Sequence, residues 1–214
     1  MENSVVIKDL SKKIKGKTVL SDINLLLERN KIYGFYGING SGKSMLFRAI
    51  AGLIHPTTGS VIVLGEHIGK NGKFPSSMGL VIETVGFWIY YTGFENLKNL
   101  ASIKRIASDE SIKNTLTRVG LDPEDKRTYK KYSLGMKQRL AIAQAIMEKP
   151  EMILLDEPTN ALDEDGIQLI HTIIREEAER GATILIASHN KDDLSLCDQL
   201  FKMTDGKLAE GEVS

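Results

Sequence analysis

The sequence has a single cysteine and no excess of charge of either sign. Cys197 cannot form an internal disulfide, which favours a reducing compartment. We interpret it as a small, buried or partly buried apolar residue and not as a nucleophile. The 28 basic and 28 acidic residues balance, so the composition gives no sign of general affinity for nucleic acid or anionic lipid.

Long hydrophobic runs are also missing. No apolar run approaches the roughly 18 residues of a membrane-spanning helix, and the first residues lead into a short strand pattern without a signal peptide. Any membrane role is therefore expected to come through a partner. The 214 residues suffice for one domain, 1–214, that can bury a sizeable core without disulfides.

A glycine-rich stretch, Gly-Ile-Asn-Gly-Ser-Gly-Lys-Ser at 37–44, follows an apolar run at 31–36 and precedes a helical pattern at 45–51. Glycines reach backbone angles that other residues avoid, so their N–H groups can surround an anion at a helix N-terminus. Lys43 would reach the β- and γ-phosphates of a nucleotide, and Ser44 would bind Mg²⁺. The alternative is an ordinary turn between strand and helix. The residues predicted to bind nucleotide here are Gly37, Asn39, Gly40, Ser41, Gly42, Lys43 and Ser44.

The remaining patterns predict an α/β fold. Strands at 4–10, 19–27 and 60–68 suggest an antiparallel sheet beside the core, and a hairpin with an Asp-Gly turn is expected at 201–208. Buried strands at 78–83, 151–157 and 182–188 alternate with helices, which favours a mostly parallel sheet with right-handed crossovers.

Residues 84–135 are predicted to form a mostly helical insert. Thr92 and Glu95 match a capping box, and helical spacing continues from there to about Gly120. Ser133 is the expected N-cap of a further helix over 132–147.

Two acids and a histidine follow buried strands. Because ligands of such sheets lie at the carboxyl ends of strands, Asp156, Glu157 and His189 are expected near the glycine loop. Asp156 would hold Mg²⁺, Glu157 would act as general base on water, and His189 would contact the γ-phosphate and hold Glu157 or the water. Alternatively, the acids begin a solvated loop and the histidine is structural. The remaining histidines, His55, His67 and His171, show no partner spacing, so no zinc site is predicted.

Five segments in order resemble ATP-binding cassette (ABC) ATPases, a family of phosphate-loop NTPases. They are the glycine loop at 37–44, Tyr-Ser-Leu-Gly-Met-Lys-Gln-Arg at 132–139, Ile-Leu-Leu-Asp-Glu-Pro at 153–158, Asn-Ala-Leu-Asp at 160–163, and Ser188 with His189. The resemblance covers almost the whole chain, and it implies ATP as substrate and Mg²⁺ as cofactor.

The segment at 132–139 is similar to the family signature, Leu-Ser-Gly-Gly-Gln-x-Gln-Arg. Ser133 and Gly135 match it, whereas Leu134 replaces a glycine and Met136 replaces a glutamine. The resemblance implies two cassettes packed head to tail, so that Ser133 and Gly135 of one copy close over the ATP held by the other. A homodimer is the expected arrangement, with 160–163 touching the partner.

Two further positions depart from the family pattern. Ile14 stands where many members stack an aromatic residue on adenine, which implies a plain apolar contact. Glu83 stands where most members have a glutamine that touches Mg²⁺ and the water, and a carboxylate is a harder oxygen ligand. The alternative for Glu83 is a surface substitution without consequence.

Glu83, the aromatic cluster at 87–91 and Thr-Gly-Phe-Glu-Asn-Leu at 92–97 resemble bacterial exporters of the bacitracin-resistance and lantibiotic-immunity type. This resemblance implies separate transmembrane permease subunits, a peripheral location at the cytoplasmic face of the membrane, and an antimicrobial peptide as cargo. The cluster at 87–91 would line a groove for a helix of the membrane subunit, or it belongs to the local core.

Two other functions remain open. The first is a soluble cassette ATPase that acts in regulation or on the ribosome. Such proteins often carry two cassettes or long inserts, whereas this sequence contains one cassette. The second is an ATP-sensing module without hydrolysis, which the presence of Glu157 and His189 disfavours.

Overall fold

The computed structural model describes residues 2–69, 73–83 and 86–211. It contains two sheets with helices packed against them, and its fold class agrees with the α/β prediction. In the part of the chain so described, no helix is long and apolar enough to cross a membrane.

The central sheet has six strands, and all but one run parallel. Their order is β10-β9-β3-β8-β7-β6, with β10 as an antiparallel edge. Every residue of β7 and β8 is buried, as expected for strands covered on both faces. The strands are β3 (Ile32–Tyr36), β6 (Met78–Val81), β7 (Met152–Asp156), β8 (Thr183–Ala187), β9 (Gln199–Thr204) and β10 (Lys207–Gly211).

The second sheet is antiparallel, with the order β2-β1-β4-β5. The prediction of one strand over 60–68 is wrong, because Leu64 and Gly65 both take positive φ and turn the chain into a short hairpin. The strands are β1 (Asn3–Ile14), β2 (Lys17–Glu28), β4 (Thr58–Val63) and β5 (Glu66–Ile68).

Six helices surround the central sheet in the described part of the chain. They are α1 (Lys43–Ile50), α2 (Gly93–Lys104), α3 (Asp109–Arg118), α4 (Leu134–Ile146), α5 (Glu164–Glu179) and α6 (Lys191–Leu194). Helix α4 lies very close to β6, because a Cβ on Gly79 would collide with the Ala145 carbonyl. Glycine at this position therefore fixes how closely α4, the helix that follows Ser133, packs on the sheet.

The helical pattern over 92–120 forms two helices. Thr92 and Glu95 make the predicted capping box at the start of α2, but Arg105 takes a left-handed φ of 57° and ends it. Ser108 then caps α3 by accepting a hydrogen bond from the Ser111 N–H. Residues 84 and 85, where the predicted insert begins, lie outside the described residues, and the insert as a subdomain stays a prediction.

Candidate functional site

The glycine loop joins the end of β3 to the start of α1. Gly37, Gly40 and Gly42 have φ of 153°, 81° and 113°, which are values that side chains with a Cβ rarely adopt. Lys43 is buried, and its Nζ donates to the Gly37 carbonyl at 2.8 Å. The buried Ser41 Oγ has no hydrogen-bond partner among the described residues. A buried cation and an unpaired hydroxyl in a glycine-rich loop fit the binding of phosphate groups.

Ser44 and Asp156 meet at the edge of the sheet. The Ser44 hydroxyl donates to Asp156 Oδ2 at 2.6 Å. Burial raises the pKa of the Asp156 carboxyl above its ordinary value, and the charge of Glu157 adds to this, while the Ser44 hydrogen bond opposes it. A hydroxyl and a carboxylate side by side form the hard oxygen pair that Mg²⁺ binds in phosphate-loop proteins, so the two residues fit that ion.

Glu157 and His189 form a second pair at the same edge. His189 Nδ1 lies 2.9 Å from the Glu157 carboxylate, and the His189 side chain is 70% exposed. Glu157 has a left-handed φ of 51°, and its N–H donates to the Ala187 carbonyl at 2.8 Å. The backbone therefore turns sharply after β7 and presents Glu157 towards His189, which is the second residue after β8.

A cavity of about 770 Å³ runs along these groups. The glycine loop, Ser44, Asp156 and Glu157 line it, together with the β1–β2 hairpin, the β9–β10 turn and the start of α4. The glycine loop and the acidic pair therefore meet at one cavity, and His189 lies beside them through its contact with Glu157.

The matching residues of the 132–139 segment lie at the exposed start of α4. Ser133 caps the helix, because its Oγ accepts a hydrogen bond from the Met136 N–H at 3.2 Å. Within residues 2–69, 73–83 and 86–211, no acceptor is found for the hydroxyl proton of Ser133 itself. Gly135 lies close to the Ala161 carbonyl, and Leu134 is 71% exposed. Helix α4 also reaches the turn after β7, since the Gln138 amide donates to the Glu157 and Pro158 carbonyls.

A family model described as ABC transporter matches residues 20–160. The chain belongs to the ABC transporter family. It is an ABC ATPase. This confirms three expectations from the sequence: the family, ATP as the substrate, and ATP hydrolysis as the reaction.

Curated ABC relatives match this ATPase over nearly its full length. An uncharacterized ABC transporter ATP-binding protein, YybJ of Bacillus subtilis, is 51% identical over 97% of this chain and 96% of its own. The bacitracin transport ATP-binding protein BcrA of Enterococcus faecalis is 39% identical over 98% of this chain and 69% of its own. The lantibiotic transport ATP-binding protein SrtF of Streptococcus pyogenes is 34% identical over 94% of this chain and 87% of its own.

A solved structure of the ATP-binding subunit of an ABC transporter has the same fold. It superimposes with a TM-score of 0.87 at 26% identity, and covers 97% of this chain and 89% of its own.

Two further predicted site residues of this ABC ATPase differ in their relation to the cavity. Ile14 is exposed at the end of β1, whereas Lys17, Thr18 and Val19 after the turn line the cavity. Glu83 lines the cavity too, but its carboxylate forms an ion pair with Arg48 at 2.7 Å. The nucleotide contact of Ile14 and the metal contact of Glu83 stay predictions.

The aromatic cluster at 87–91 divides between core and surface. Phe87 is buried and packs edge-on against Tyr129, with ring centroids 5.2 Å apart. The other four side chains are exposed: Trp88, Ile89, Tyr90 and Tyr91. The local-core interpretation therefore holds for Phe87 alone.

Several residues around the cavity carry no signal of a ligand contact in the sequence. Lys17, Thr18 and Val19 are part of a strand, where nothing in the pattern marks a ligand contact. Asp205 and Gly206 were predicted only as a turn, yet they also line the cavity. The β9–β10 turn reaches the glycine loop because the Gly206 N–H donates to the Ser41 carbonyl at 2.8 Å.

Proposed function

We propose that two copies of this ABC ATPase close head to tail over ATP and drive separate transmembrane subunits. The observation that carries the proposal is that the glycine loop, the hydrogen-bonded Ser44 and Asp156, and Glu157 line one cavity, with His189 in contact with Glu157. These groups supply phosphate binding, oxygen ligands for a metal and a base oriented by a histidine, which together are the parts of a phosphoryl-transfer site.

Each group has one role in the proposed reaction. The loop amides and Lys43 bind the phosphates of ATP, and Ser44 and Asp156, with Glu83 beside them, hold the metal. Magnesium, when bound, supplies positive charge that stabilises the phosphate oxygens. Glu157 takes a proton from the attacking water, and His189 holds the Glu157 carboxylate and contacts the γ-phosphate.

The second copy completes the site through its Ser133 and Gly135. The exposed start of α4 supports this role, because the Ser133 hydroxyl donates to no other described residue and the helix N-terminus offers N–H groups to an anion. Within one chain, Ser133 is not among the residues that line the described cavity. A partner copy is the simplest source of that chemistry.

Hydrolysis measured against protein concentration tests the role of Glu157 and of the dimer. We expect turnover per chain to rise with concentration, and Glu157→Gln to abolish turnover but to accumulate as an ATP-bound dimer in size-exclusion chromatography. Glu179→Gln is the matched control, because this exposed glutamate lies at the end of α5, whereas the 160–163 segment precedes the start of that helix. Full turnover in Glu157→Gln would contradict the proposed base.

Mixing two inactive variants tests the head-to-tail arrangement. Lys43→Ala disables the loop and Ser133→Ala disables the signature segment. In a mixed dimer, one site carries both defects and the other carries neither, so the mixture is expected to regain activity that neither variant has alone. Self-contained sites would give no recovery.

We further propose that the cargo is an antimicrobial peptide and that the ATPase works at the cytoplasmic face of the membrane. The support is the printed function of two relatives, BcrA in bacitracin transport and SrtF in lantibiotic transport. The exposed side chains Trp88, Ile89, Tyr90 and Tyr91 would contact the permease.

Drug sensitivity tests the proposed peptide cargo, and copurification tests the proposed contact with a permease. Cells that lack the chain should become sensitive to bacitracin or a lantibiotic, and the wild type but not Glu157→Gln should restore resistance. Copurification with a multi-helix membrane protein is expected for a transporter subunit, whereas a soluble regulatory or ribosome-associated ATPase would lack it.

A further inference from the structure

A buried group of polar side chains lies directly behind the Glu157–His189 pair. At its centre is Asp193, which has no exposed surface. Asp193 Oδ2 accepts hydrogen bonds from Ser188 Oγ at 2.8 Å and from Thr159 Oγ1 at 2.9 Å. Asp193 Oδ1 lies 2.7 Å from Nε2 of the buried His171. We call these four residues the Asp193 cluster.

The Asp193 cluster connects the segments that carry the catalytic pair. Thr159 follows Glu157 by two residues in the turn after β7, and Ser188 immediately precedes His189 after β8. The other two members come from α5 and α6. One buried carboxylate therefore holds the loop of the proposed base and the loop of its histidine together.

The cluster is well suited to act as a rigid support. A buried carboxylate is costly unless several donors satisfy it, and here three side chains from three other segments do so. Any displacement of Asp193 would leave buried hydroxyl groups without partners. The positions of Thr159 and Ser188 are consequently coupled to each other through Asp193.

The direction of the Ser188 proton also matters for Glu157. Ser188 Oγ lies 3.4 Å from Glu157 Oε2 but only 2.8 Å from Asp193. A hydroxyl has one proton to donate, and the shorter contact directs it to Asp193. Without Asp193, that proton can turn to the Glu157 carboxylate and occupy an acceptor site that a base needs for water.

We propose that Asp193 is a positioning residue for hydrolysis, acting through Ser188 and Thr159 on the Glu157–His189 pair. The inference rests on the proposed role of Glu157 as base. Displacement of Glu157 should lower the rate of hydrolysis more than the affinity for ATP. The reason is that Asp193 makes no hydrogen bond to the phosphate-binding loop among those described for this chain.

Steady-state kinetics of Asp193→Asn provide the first test. We expect kcat to fall about 10- to 100-fold, the usual loss when an orienting partner is removed, and KM for ATP to stay within about twofold. Asp192→Asn is the matched control, because it makes the same change at the neighbouring exposed residue and should retain wild-type kcat. Thr159→Val and Ser188→Ala remove single donors from the cluster, so they test it even where Asp193→Asn fails to fold.

Histidine NMR provides a second test that needs no turnover. The chain has four histidines, so ¹⁵N-histidine labelling gives few ring signals, and His55→Gln and His67→Gln identify the two histidines outside the pair under test. In the ATP-free protein, Asp193→Asn should shift the ring signals of His189 as well as those of His171. Asp192→Asn should leave both unchanged.

Two results would overturn the inference. One is a folded Asp193→Asn protein with wild-type kcat and an unshifted His189 ring. The other is loss of thermal stability and activity in Asp193→Asn while Thr159→Val and Ser188→Ala keep wild-type kcat, which would make Asp193 structural only. If Glu157→Gln retains full turnover, the proposed base is wrong instead, and the NMR shifts still decide whether Asp193 sets the surroundings of His189.

Discussion

The Ser44 hydroxyl donates a hydrogen bond of 2.6 Å to Asp156, a residue that lies 112 positions later in the sequence. This contact ties the first turn of α1 to the end of β7. It also leaves the Asp156 carboxylate largely buried beside a second acid, Glu157, and both effects raise the pKa of Asp156. The carboxylate predicted to bind the metal is thus held in place at some cost to the stability of the ligand-free protein.

Replacing Asp156 by asparagine should stabilise the ligand-free protein at pH 7. Below the ordinary pKa of 3.8, the carboxyl is protonated in both folded and unfolded chains. As the pH rises through the raised pKa of the folded state, burial disfavours the charge and stability is lost. Asparagine avoids that loss, so we expect Tm to rise by about 2–4 °C, which corresponds to about 1 kcal/mol.

The measurement is thermal unfolding with a chelator at pH 7 and near pH 4. The gain from Asp156→Asn should shrink at the lower pH, where the wild-type carboxyl is increasingly protonated. Asp165→Asn, at an exposed position in the first turn of α5, is the control for the amide substitution itself. A lower Tm for Asp156→Asn at pH 7 contradicts the argument.

The arrangement of the glycine loop and of the strand-end side chains could be predicted because their signals are local. The glycine loop carries its own spacing, and Asp156, Glu157 and His189 follow buried strands whose carboxyl ends meet in any parallel sheet. The capping box at Thr92 and the C-terminal Gly120 are likewise short patterns, and the structure contains both. The buried character of the strands and their order along the chain were therefore enough to predict the parallel sheet.

The parts that could not be predicted depend on tertiary contacts. Helical spacing continues through Arg105, yet this residue takes a left-handed conformation that no periodic pattern reveals. His171 and Asp193 are 22 positions apart on different helices, and nothing in the sequence pairs them. Glu83, after β6, likewise forms an ion pair with Arg48 of α1, and no sequence pattern connects the two residues.

Replacing Glu83 by glutamine should lower the affinity for magnesium and change the stability of the protein little. An amide oxygen is a poorer ligand for a hard cation than a carboxylate, so we expect the magnesium concentration for half-maximal hydrolysis to rise about 10-fold. The Arg48 ion pair is exposed and is worth less than about 1 kcal/mol, so Tm should change little.

Arg48→Gln is the control for the ion pair. It removes the partner of Glu83 but keeps the carboxylate, so the magnesium midpoint should stay the same or fall. An unchanged midpoint in Glu83→Gln would remove Glu83 from the predicted metal site and leave it with the ion pair alone.

Replacing Glu177 by glutamine should destabilise the contact between α3 and α5. The Glu177 side chain is 3% exposed and pairs with Arg118 at 2.9 Å and with Arg180 at 2.8 Å. Loss of a buried charge leaves two guanidinium groups poorly compensated, and we expect a cost of about 2 kcal/mol, or about 4–8 °C in Tm. Calorimetry gives both values.

Glu176 offers the matched control, because it also pairs with Arg118, at 2.8 Å, but is 52% exposed. Glu176→Gln should cost less than about 1 kcal/mol, as exposed ion pairs do. Equal losses in the two variants would show that burial does not determine the strength of this contact.

The thiol of Cys197 should react slowly in the folded protein. Burial raises its pKa from 9.0 to about 12, and the nearby charges of Asp193 and Asp198 add to this. Only the thiolate is nucleophilic, so a shift of this size lowers the reactive fraction about 1,000-fold at pH 8. We expect alkylation by iodoacetamide to be slower by about that factor than in the urea-unfolded chain, measured by mass spectrometry. The chain has one cysteine, so the mass shift reports this site alone, and similar rates in the two states would contradict a desolvated thiol.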